Sequence, residues 1–221
     1  MSDVAKNLNS LKSQLPSYVT LVAVSKTKPI SDITEAYNSG QRYFGENHVQ
    51  ELLNKKDLLP QDIKWHLIGH LQSNKIKLII SFISMIQSVD SFRLLTAINS
   101  EAVKIERVVD CLLQIHIAKE ETKFGFSMPE LIETLQSDVV LNLKNVRICG
   151  VMGMATFTSD TDQVKKEFVY LRNCFNQLKE GYFNSDSAFR EISMGMSGDY
   201  NIAVQQGTTM VRIGSLIFGE R

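Results

Sequence analysis

A lysine at the end of a predicted buried strand is the first residue whose position suggests chemistry. Thr20–Ser25 is an apolar, β-branched run that predicts a short strand, and Lys26 follows it before Pro29 ends the segment. An ammonium group is costly to remove from water, so a partly buried lysine has a lowered pKa and can form a Schiff base as a nucleophile. The same pattern also fits a solvated lysine that begins a strand–helix loop.

Two turns rich in glycine and serine near the C-terminal end could hold an anion. Gly195–Gly198 follows the predicted strand Phe189–Met194, and Gly214-Ser215 follows the predicted strand Thr209–Ile213. Such turns offer free backbone N–H groups and hydroxyls, and the dipole of a following helix would assist them. Each turn alone is a common tight loop, but two at neighbouring strand ends predict a cradle for one phosphate group.

The elements that must place these residues alternate between strand and helix. The eight predicted strands are Thr20–Ser25, Arg42–Gly45, Ile63–Gly69, Met85–Val89, Val108–Ile117, Val146–Met152, Phe189–Met194 and Thr209–Ile213. No linker rich in proline, glycine or serine divides the chain. The alternation predicts a single domain over residues 1–221, a closed parallel (β/α)8 TIM barrel. An extra N-terminal helix is expected to replace the eighth outer helix.

Local signals predict where several helices begin and end. The predicted N-caps are Ser31, Ser73 and either Asp90 or Ser91. Gly40 is a C-terminal stop, Glu46-Asn47 opens a helix, and Pro129 lies in the first turn of a helix to about Val140. These boundaries put the candidate residues at the C-terminal strand ends, the face on which TIM barrels carry their sites.

Composition narrows the classes of function. Lysine and arginine number 24 against 24 aspartate and glutamate, so no basic footprint for nucleic acid or an anionic membrane is visible. The three cysteines are far apart and the four histidines have no ligand spacing, which argues against a disulfide framework and a metal site. Because no apolar stretch is long enough to span a bilayer, we expect a soluble cytoplasmic protein.

Barrel closure links the two candidate features. The first and eighth strands of a closed barrel are neighbours, so Lys26 is expected beside the phosphate cradle. A phosphate site next to a nucleophilic lysine is what pyridoxal 5′-phosphate (PLP) requires.

Six sequence blocks run in the same order as in a known family. They are VAVSKTKP, FGENHVQE, WHLIGHLQSNK, the E-x-x-K-x-G pattern of Glu120–Gly125, GVMGMAT, and SMGMSGDYNIAVQQGTTMVRIGSLIFGER. These blocks resemble the pyridoxal-phosphate homeostasis protein family. The resemblance implies a (β/α)8 barrel similar to the N-terminal domain of alanine racemase and a role in intracellular PLP homeostasis.

The resemblance also implies which residues bind the cofactor. Lys26 would hold PLP as an internal aldimine. The other implied contacts are Asn47 near the ring hydroxyl, Met154 near the ring, Ser197, Gly214 and Ser215 at the phosphate, and Arg212 at the pyridine nitrogen. Lys28 is the rival to Lys26, because strand alternation puts both on one face, although Pro29 should keep Lys28 further from the rim. The choice of Lys26 rests chiefly on the resemblance.

The implied site favours holding PLP over using it. Arg212 is a donor-only cation, so it would favour an unprotonated pyridine nitrogen and a weaker electron sink. Alanine racemase resembles a two-base enzyme whose second base comes from a further domain, whereas this sequence ends seven residues after Gly214. We therefore expect an open cofactor face and a monomeric carrier, with no catalytic residue, that exchanges PLP with free amino acids or acceptor apoenzymes.

Two other functions are compatible with the sequence. One is a small PLP-dependent racemase or lyase with Lys26 as its single base, and weak activity of this kind could accompany a carrier. The other is a barrel without cofactor that serves as an interaction module. The sequence leaves open whether Lys28, Lys75 or Lys123 assists exchange.

Overall fold

Eight parallel strands close into one barrel in the computed structural model, which describes residues 3–119, 124–137, 140 and 142–220. The strands are β1 (Thr20–Val24), β2 (Tyr43–Glu46), β3 (Lys64–Leu67), β4 (Met85–Val89), β5 (Val109–Gln114), β6 (Val146–Met152), β7 (Glu191–Ser193) and β8 (Met210–Ile213). Each strand pairs with the next, and the Val22–Arg212 register of β1 with β8 closes the barrel. The predicted (β/α)8 barrel is confirmed.

Helices surround the barrel in the described part of the chain. They are α1 (Asp3–Gln14), α2 (Ile30–Asn38), α3 (Val49–Lys56), α4 (Ile76–Ile79), α5 (Phe92–Val103), α6 (Met128–Gln136), α7 (Thr161–Gly181), α8 (Tyr200–Gln205) and α9 (Ser215–Phe218). The side chain of Asn7 on α1 donates to the Ile217 carbonyl of α9 at 3.3 Å. The Ala5 N–H donates to the Glu35 carboxylate of α2 at 2.8 Å. Helix α1 thus lies between the first and last helices of the outer ring, as expected.

Two predicted N-caps are wrong. Helix α2 begins at Ile30 because Pro29, with φ −69° and extended ψ, already sets the start, so Ser31 lies inside the first turn. Ser73 belongs to a 3₁₀ turn, Ser73–Lys75, which follows Gln72. Ser73 therefore lies inside the 3₁₀ turn and two residues before Lys75, which immediately precedes α4.

The other boundaries agree more closely with the sequence. The Ser91 side chain accepts the Leu94 N–H at the start of α5, Gly40 takes φ +84° after α2, and Pro129 lies in the first turn of α6. Helix α3 begins at Val49 and not at Glu46-Asn47, since Glu46 is the last residue of β2.

The buried side chains form two regions with different compositions. The sheet–helix layer, between the outer face of the sheet and the helices, contains large apolar residues such as Phe44, Leu67, Ile86, Phe168 and Leu171. The barrel interior contains Val22, Met85, Leu112, Cys149, Met152 and Met210, together with the buried polar residues His66, Gln87, Ser193 and Arg212. The polar residues of the barrel interior extend to the C-terminal ends of the strands, where Arg212 lines the candidate site.

Candidate functional site

A cavity of about 460 Å³ lies at the C-terminal ends of the strands. This volume falls within the range of about 300–1,000 Å³ that is usual for small-molecule sites. All seven predicted cofactor-binding residues line it: Lys26, Asn47, Met154, Ser197, Arg212, Gly214 and Ser215. The fold therefore brings together residues from five different strand ends.

The two rival lysines, Lys26 and Lys28, have different surroundings. Lys26 is half-buried in the cavity wall. The Lys28 ammonium also reaches the wall, but it donates to the backbone carbonyls of Phe218, Gly219 and Glu220 at 3.0, 3.0 and 3.2 Å. These three acceptors hold Lys28 against the C-terminal segment. The choice of Lys26 over Lys28 stays a prediction.

Arg212 presents a buried positive charge at the floor of the cavity. Its Nη1 donates to the Ser193 hydroxyl at 2.7 Å and its Nη2 donates to the Gly153 carbonyl at 2.9 Å. Burial lowers the pKa of Arg212 to about 10, and the charge of Asp199 partly opposes that effect. The guanidinium therefore stays cationic at neutral pH while bonded to neutral oxygens.

Hydrogen bonds continue from Arg212 down through the barrel interior. The Ser193 hydroxyl donates to Gln87 Oε1 at 2.7 Å, and Gln87 Nε2 lies 2.8 Å from His66 Nδ1. Burial lowers the pKa of His66 to about 4, so its ring is neutral at pH 7. The Nδ1 atom then accepts a hydrogen bond from the Gln87 side-chain amide. Sequence reasoning missed this chain of contacts, because alternation within a strand does not reveal partners on other strands.

The Gly195–Gly198 turn contains two backbone donors that line the cavity. Gly195 has φ +96°, and a Cβ there would lie 2.6 Å from that of Ala203, so only glycine fits this turn. Among the described residues, the N–H groups of Ser197 and Gly198 donate to no protein acceptor. Both residues line the cavity. The turn thus supplies donors of the kind that a phosphate group needs.

The expected assistance from helix dipoles is small. Helix α8 has six residues and α9 has four, and short helices sum few peptide dipoles. In addition, the Asp199 carboxylate accepts the Met196 N–H at 2.6 Å and removes that donor from the cradle. Any anion here would depend on the remaining N–H groups and on the Ser197 and Ser215 hydroxyls.

Another part of the cavity wall, at Thr156, is held by a buried acid, Glu167, that the sequence did not single out. Glu167 of α7 accepts the Thr156 N–H at 2.7 Å and the Thr156 hydroxyl at 2.8 Å. The next residue, Phe157, is 96 % exposed at the cavity rim. The anchored loop leaves one side of the cavity in contact with solvent.

Several sequence candidates lie away from the cavity. Lys75 is not part of its lining. Glu120 and Lys123, the first two fixed positions of the E-x-x-K-x-G pattern, lie outside the described residues. The described ranges contain no group of three histidine, cysteine or acidic residues placed to bind a metal. They also contain no helix with the length and apolar character needed to cross a bilayer.

Comparison with known proteins identifies the family. The model for the alanine racemase N-terminal domain matches residues 1–221. A pyridoxal phosphate homeostasis protein from Aquifex aeolicus is 38% identical over 202 residues, which cover 91% of this chain and 86% of that one. One from Schizosaccharomyces pombe is 35% identical and covers 100% of this chain and 94% of its own. The chain belongs to the pyridoxal phosphate homeostasis protein family.

Solved structures agree with this assignment. PipY from Synechococcus elongatus, solved with PLP bound, is 36% identical, with a TM-score of 0.89 over 98% of this chain and 100% of its own. Alanine racemase from Clostridium difficile has a TM-score of 0.79 at 15% identity, over 99% of this chain and 57% of its own, and it supports the fold alone. The names of the two relatives state homeostasis and no reaction.

Proposed function

We propose that the chain binds PLP covalently through Lys26 and acts as a carrier in PLP homeostasis. The observation that carries this proposal is the convergence of an amine, a buried guanidinium and unpaired backbone donors in one cavity. Each matches one part of PLP, namely the aldehyde, the pyridine nitrogen and the phosphate. The names of the relatives and the PLP bound by PipY support the same ligand.

The chemistry requires only a reversible condensation. PLP would supply an aldehyde, and the Lys26 amine would hold it by a condensation in which the aldehyde oxygen is lost as water with the two amine protons. No oxidation or reduction would be involved. A free amino acid could take the place of Lys26 by the same exchange, and Lys26 would be recovered as a free amine.

Residues on opposite sides of Lys26 would fix the two ends of the ligand. Ser197 and Ser215 would bind the phosphate through hydroxyl and backbone donors, with Gly214 allowing close approach. Arg212 would donate to the pyridine nitrogen. Asn47 and Met154 would lie beside the ring, near its hydroxyl group and its face.

Arg212 also favours a carrier over a catalyst. A guanidinium has no acceptor, so the pyridine nitrogen facing it would accept a hydrogen bond in its unprotonated form. An unprotonated ring withdraws electrons from an amino acid's Cα less strongly, which slows bond breaking there. The solvent contact at Phe157 supports exchange, since an amine or an acceptor apoenzyme could reach the ligand from that side.

Two measurements test this function together. The chain should take up PLP, and free amino acids should release it while their Cα hydrogens stay unexchanged in deuterated water. Rapid Cα deuterium exchange would overturn the carrier proposal in favour of a racemase or lyase. If the chain does not retain PLP, the remaining hypothesis is a barrel without cofactor that serves as an interaction module.

Location and assembly are part of the proposal. The buried, unpaired cysteines Cys111, Cys149 and Cys174 are compatible with a reducing compartment such as the cytoplasm. We expect a monomer near 25.0 kDa in size-exclusion chromatography with light scattering. A stable dimer would contradict this part of the proposal.

A further inference from the structure

A buried ion cluster lies directly behind the segment that carries Lys26. Lys55 of α3 is only 6 % exposed. Its ammonium donates to the Ser25 carbonyl at 2.7 Å, to Glu46 Oε1 at 2.8 Å and to Glu51 Oε1 at 2.6 Å. A buried ammonium needs such partners, because losing water without replacing it is costly. Lys55 thus joins the end of β1, the end of β2 and the first turn of α3.

The same cluster holds the residues on both sides of Lys26. Before it, the Ser25 hydroxyl donates to Glu46 Oε1 at 2.6 Å, in addition to the contact between Lys55 and the Ser25 carbonyl. After it, the Thr27 N–H donates to Glu51 Oε1. Thr27 has φ +64°, a left-handed conformation that is unfavourable for a β-branched residue and needs support from its surroundings.

We propose that Lys55 and Glu51 are positioning residues that aim Lys26 into the cavity. This inference rests on the proposed function, because it assigns the cluster a role in attaching PLP to one particular lysine. Lys26 lies between two backbone positions that the cluster fixes, so its side chain leaves the backbone in one direction. Without that restraint the segment could turn, and Lys28, two residues later, could compete for the aldehyde.

The electrostatics of the cluster explain why Lys55 cannot be replaced by an apolar residue without consequence. Burial raises the pKa of Glu46, and the hydrogen bond from Lys55 opposes that rise. The Glu46 Oε2 atom already lacks a partner among the described residues. Removing the ammonium would leave two facing carboxylates, and the Ser25 carbonyl would keep only the Lys28 N–H, at 3.0 Å, as its donor. The repulsion between the carboxylates would then weaken the contacts that Glu46 and Glu51 make with Ser25 and Thr27.

A simpler role would be to attach α3 to the barrel, with no effect on Lys26. Two matched pairs of variants separate these roles. Glu51→Ala is compared with Glu101→Ala, because the two side chains are 23% and 25% exposed and each pairs with a lysine three or four residues later in the chain. Lys55→Met is compared with Lys56→Met, the neighbouring lysine, which pairs with Asp57.

The first readout needs no cofactor. Amide hydrogen exchange of the chain without PLP should be about tenfold faster at Thr27 in Glu51→Ala than in Glu101→Ala or the unaltered chain. Lys55→Met should show the same change unless it fails to fold, and Glu51→Ala, at a half-exposed position, then carries the test. Unchanged exchange at Thr27 in Glu51→Ala would overturn the proposal.

The second readout follows the chemistry. After addition of PLP and borohydride, peptide mapping should find the label on Lys26 in the unaltered chain and in Glu101→Ala. In Glu51→Ala the Lys26 share should fall several-fold, with label appearing on Lys28. Labelling confined to Lys26 at the normal rate would overturn the positioning role. If the unaltered chain takes no label at Lys26, the proposed function fails, and exchange at Thr27 still decides whether the cluster fixes this segment.

Discussion

The barrel interior and the sheet–helix layer are both buried, but they are built from different side chains. The sheet–helix layer is aliphatic and aromatic, as Phe44 and Phe168 illustrate. The barrel interior combines thioether and small apolar groups with Gln87, Ser193 and Arg212. The sheet–helix layer is stabilised by burial of apolar surface. The barrel interior also contains polar groups, and each of these needs a hydrogen-bond partner because it is buried.

The difference shows how one fold divides its tasks. Apolar residues in the layer can be exchanged for others of similar volume, because hydrophobic contact has no direction. The interior contacts have direction, since each hydrogen bond fixes the next, from His66 through Gln87 and Ser193 to Arg212. Changes in the layer should therefore affect stability, and changes in the interior should also affect the bound ligand.

The largest effect is expected in the layer. Phe168 is fully buried on α7, so Phe168→Ala should lower the free energy of unfolding by about 3–5 kcal/mol through lost burial and the resulting cavity. Denaturant titration measures this loss. The PLP spectrum of the folded fraction should be unchanged, and an altered spectrum would break the proposed division between layer and interior.

The next effect is a pH dependence in the interior. The pKa of His66 is about 4 in the folded chain and about 6.5 when unfolded, so the unfolded state binds more protons between these values. Stability should fall as pH falls from about 6.5 to 4, by about 3 kcal/mol from this residue.

The non-titrating variant His66→Gln isolates this contribution. It should show a shallower loss of unfolding free energy over the same pH window, as measured by denaturant titration at several pH values. Asp110, whose charge partly opposes the lowering of the His66 pKa, is retained in the variant, so the two proteins differ only at residue 66. Equal slopes for the two proteins would show that His66 does not titrate in this way.

A smaller change in stability, with a change in the ligand, is expected at Ser193. Ser193→Ala removes the oxygen that accepts from Arg212 and the hydroxyl that donates to Gln87, at a cost of about 1–3 kcal/mol. The visible band of bound PLP should shift, because the Arg212 guanidinium keeps the Gly153 carbonyl but loses one of its two hydrogen-bond partners. Ser88→Ala is the control, since it also loses a buried hydrogen bond, to the Gly69 carbonyl. Equal spectra for both variants would contradict the link between Arg212 and the ligand.

The smallest change in stability is expected at the cavity rim. Phe157 is 96 % exposed, so Phe157→Ala should alter the free energy of unfolding by less than about 0.5 kcal/mol. Denaturant titration beside Phe168→Ala compares the same substitution in two environments. A loss similar to that of Phe168→Ala would mean that the rim is packed in solution.

The barrel and the two glycine- and serine-rich turns could be predicted from sequence because they follow from local patterns, whereas Asn47, Met154 and Arg212 were implied only by the resemblance to a family. Alternating strands and helices predict closure, and closure places Lys26 beside Gly214 without knowledge of any contact. The starts of three helical segments were misplaced, at Ser31, Glu46-Asn47 and Ser73. The residues that precede the observed starts, Pro29, His48 and Gln72, make no side-chain capping hydrogen bond, so a search for capping side chains could not find them.

The long-range polar contacts could not be predicted from sequence. The carbonyls that hold Lys28 lie about 190 residues further along the chain, and backbone carbonyls carry no sequence signal. Lys55 and Glu51 have the spacing of an ordinary helical ion pair, which on most helices is exposed and contributes little. Only the fold shows that this pair is buried against Ser25 and Thr27.

The most direct test of the account is the absorption spectrum with PLP of the unaltered chain, Lys26→Ala and Lys28→Ala, before and after borohydride, followed by peptide mapping. The account predicts an imine band that borohydride bleaches in the unaltered chain and in Lys28→Ala, with the label on Lys26, and no such band in Lys26→Ala. A bleachable band that persists in Lys26→Ala would contradict the account. Label on Lys28 in that variant would show that Lys28, and not Lys26, forms the imine with PLP.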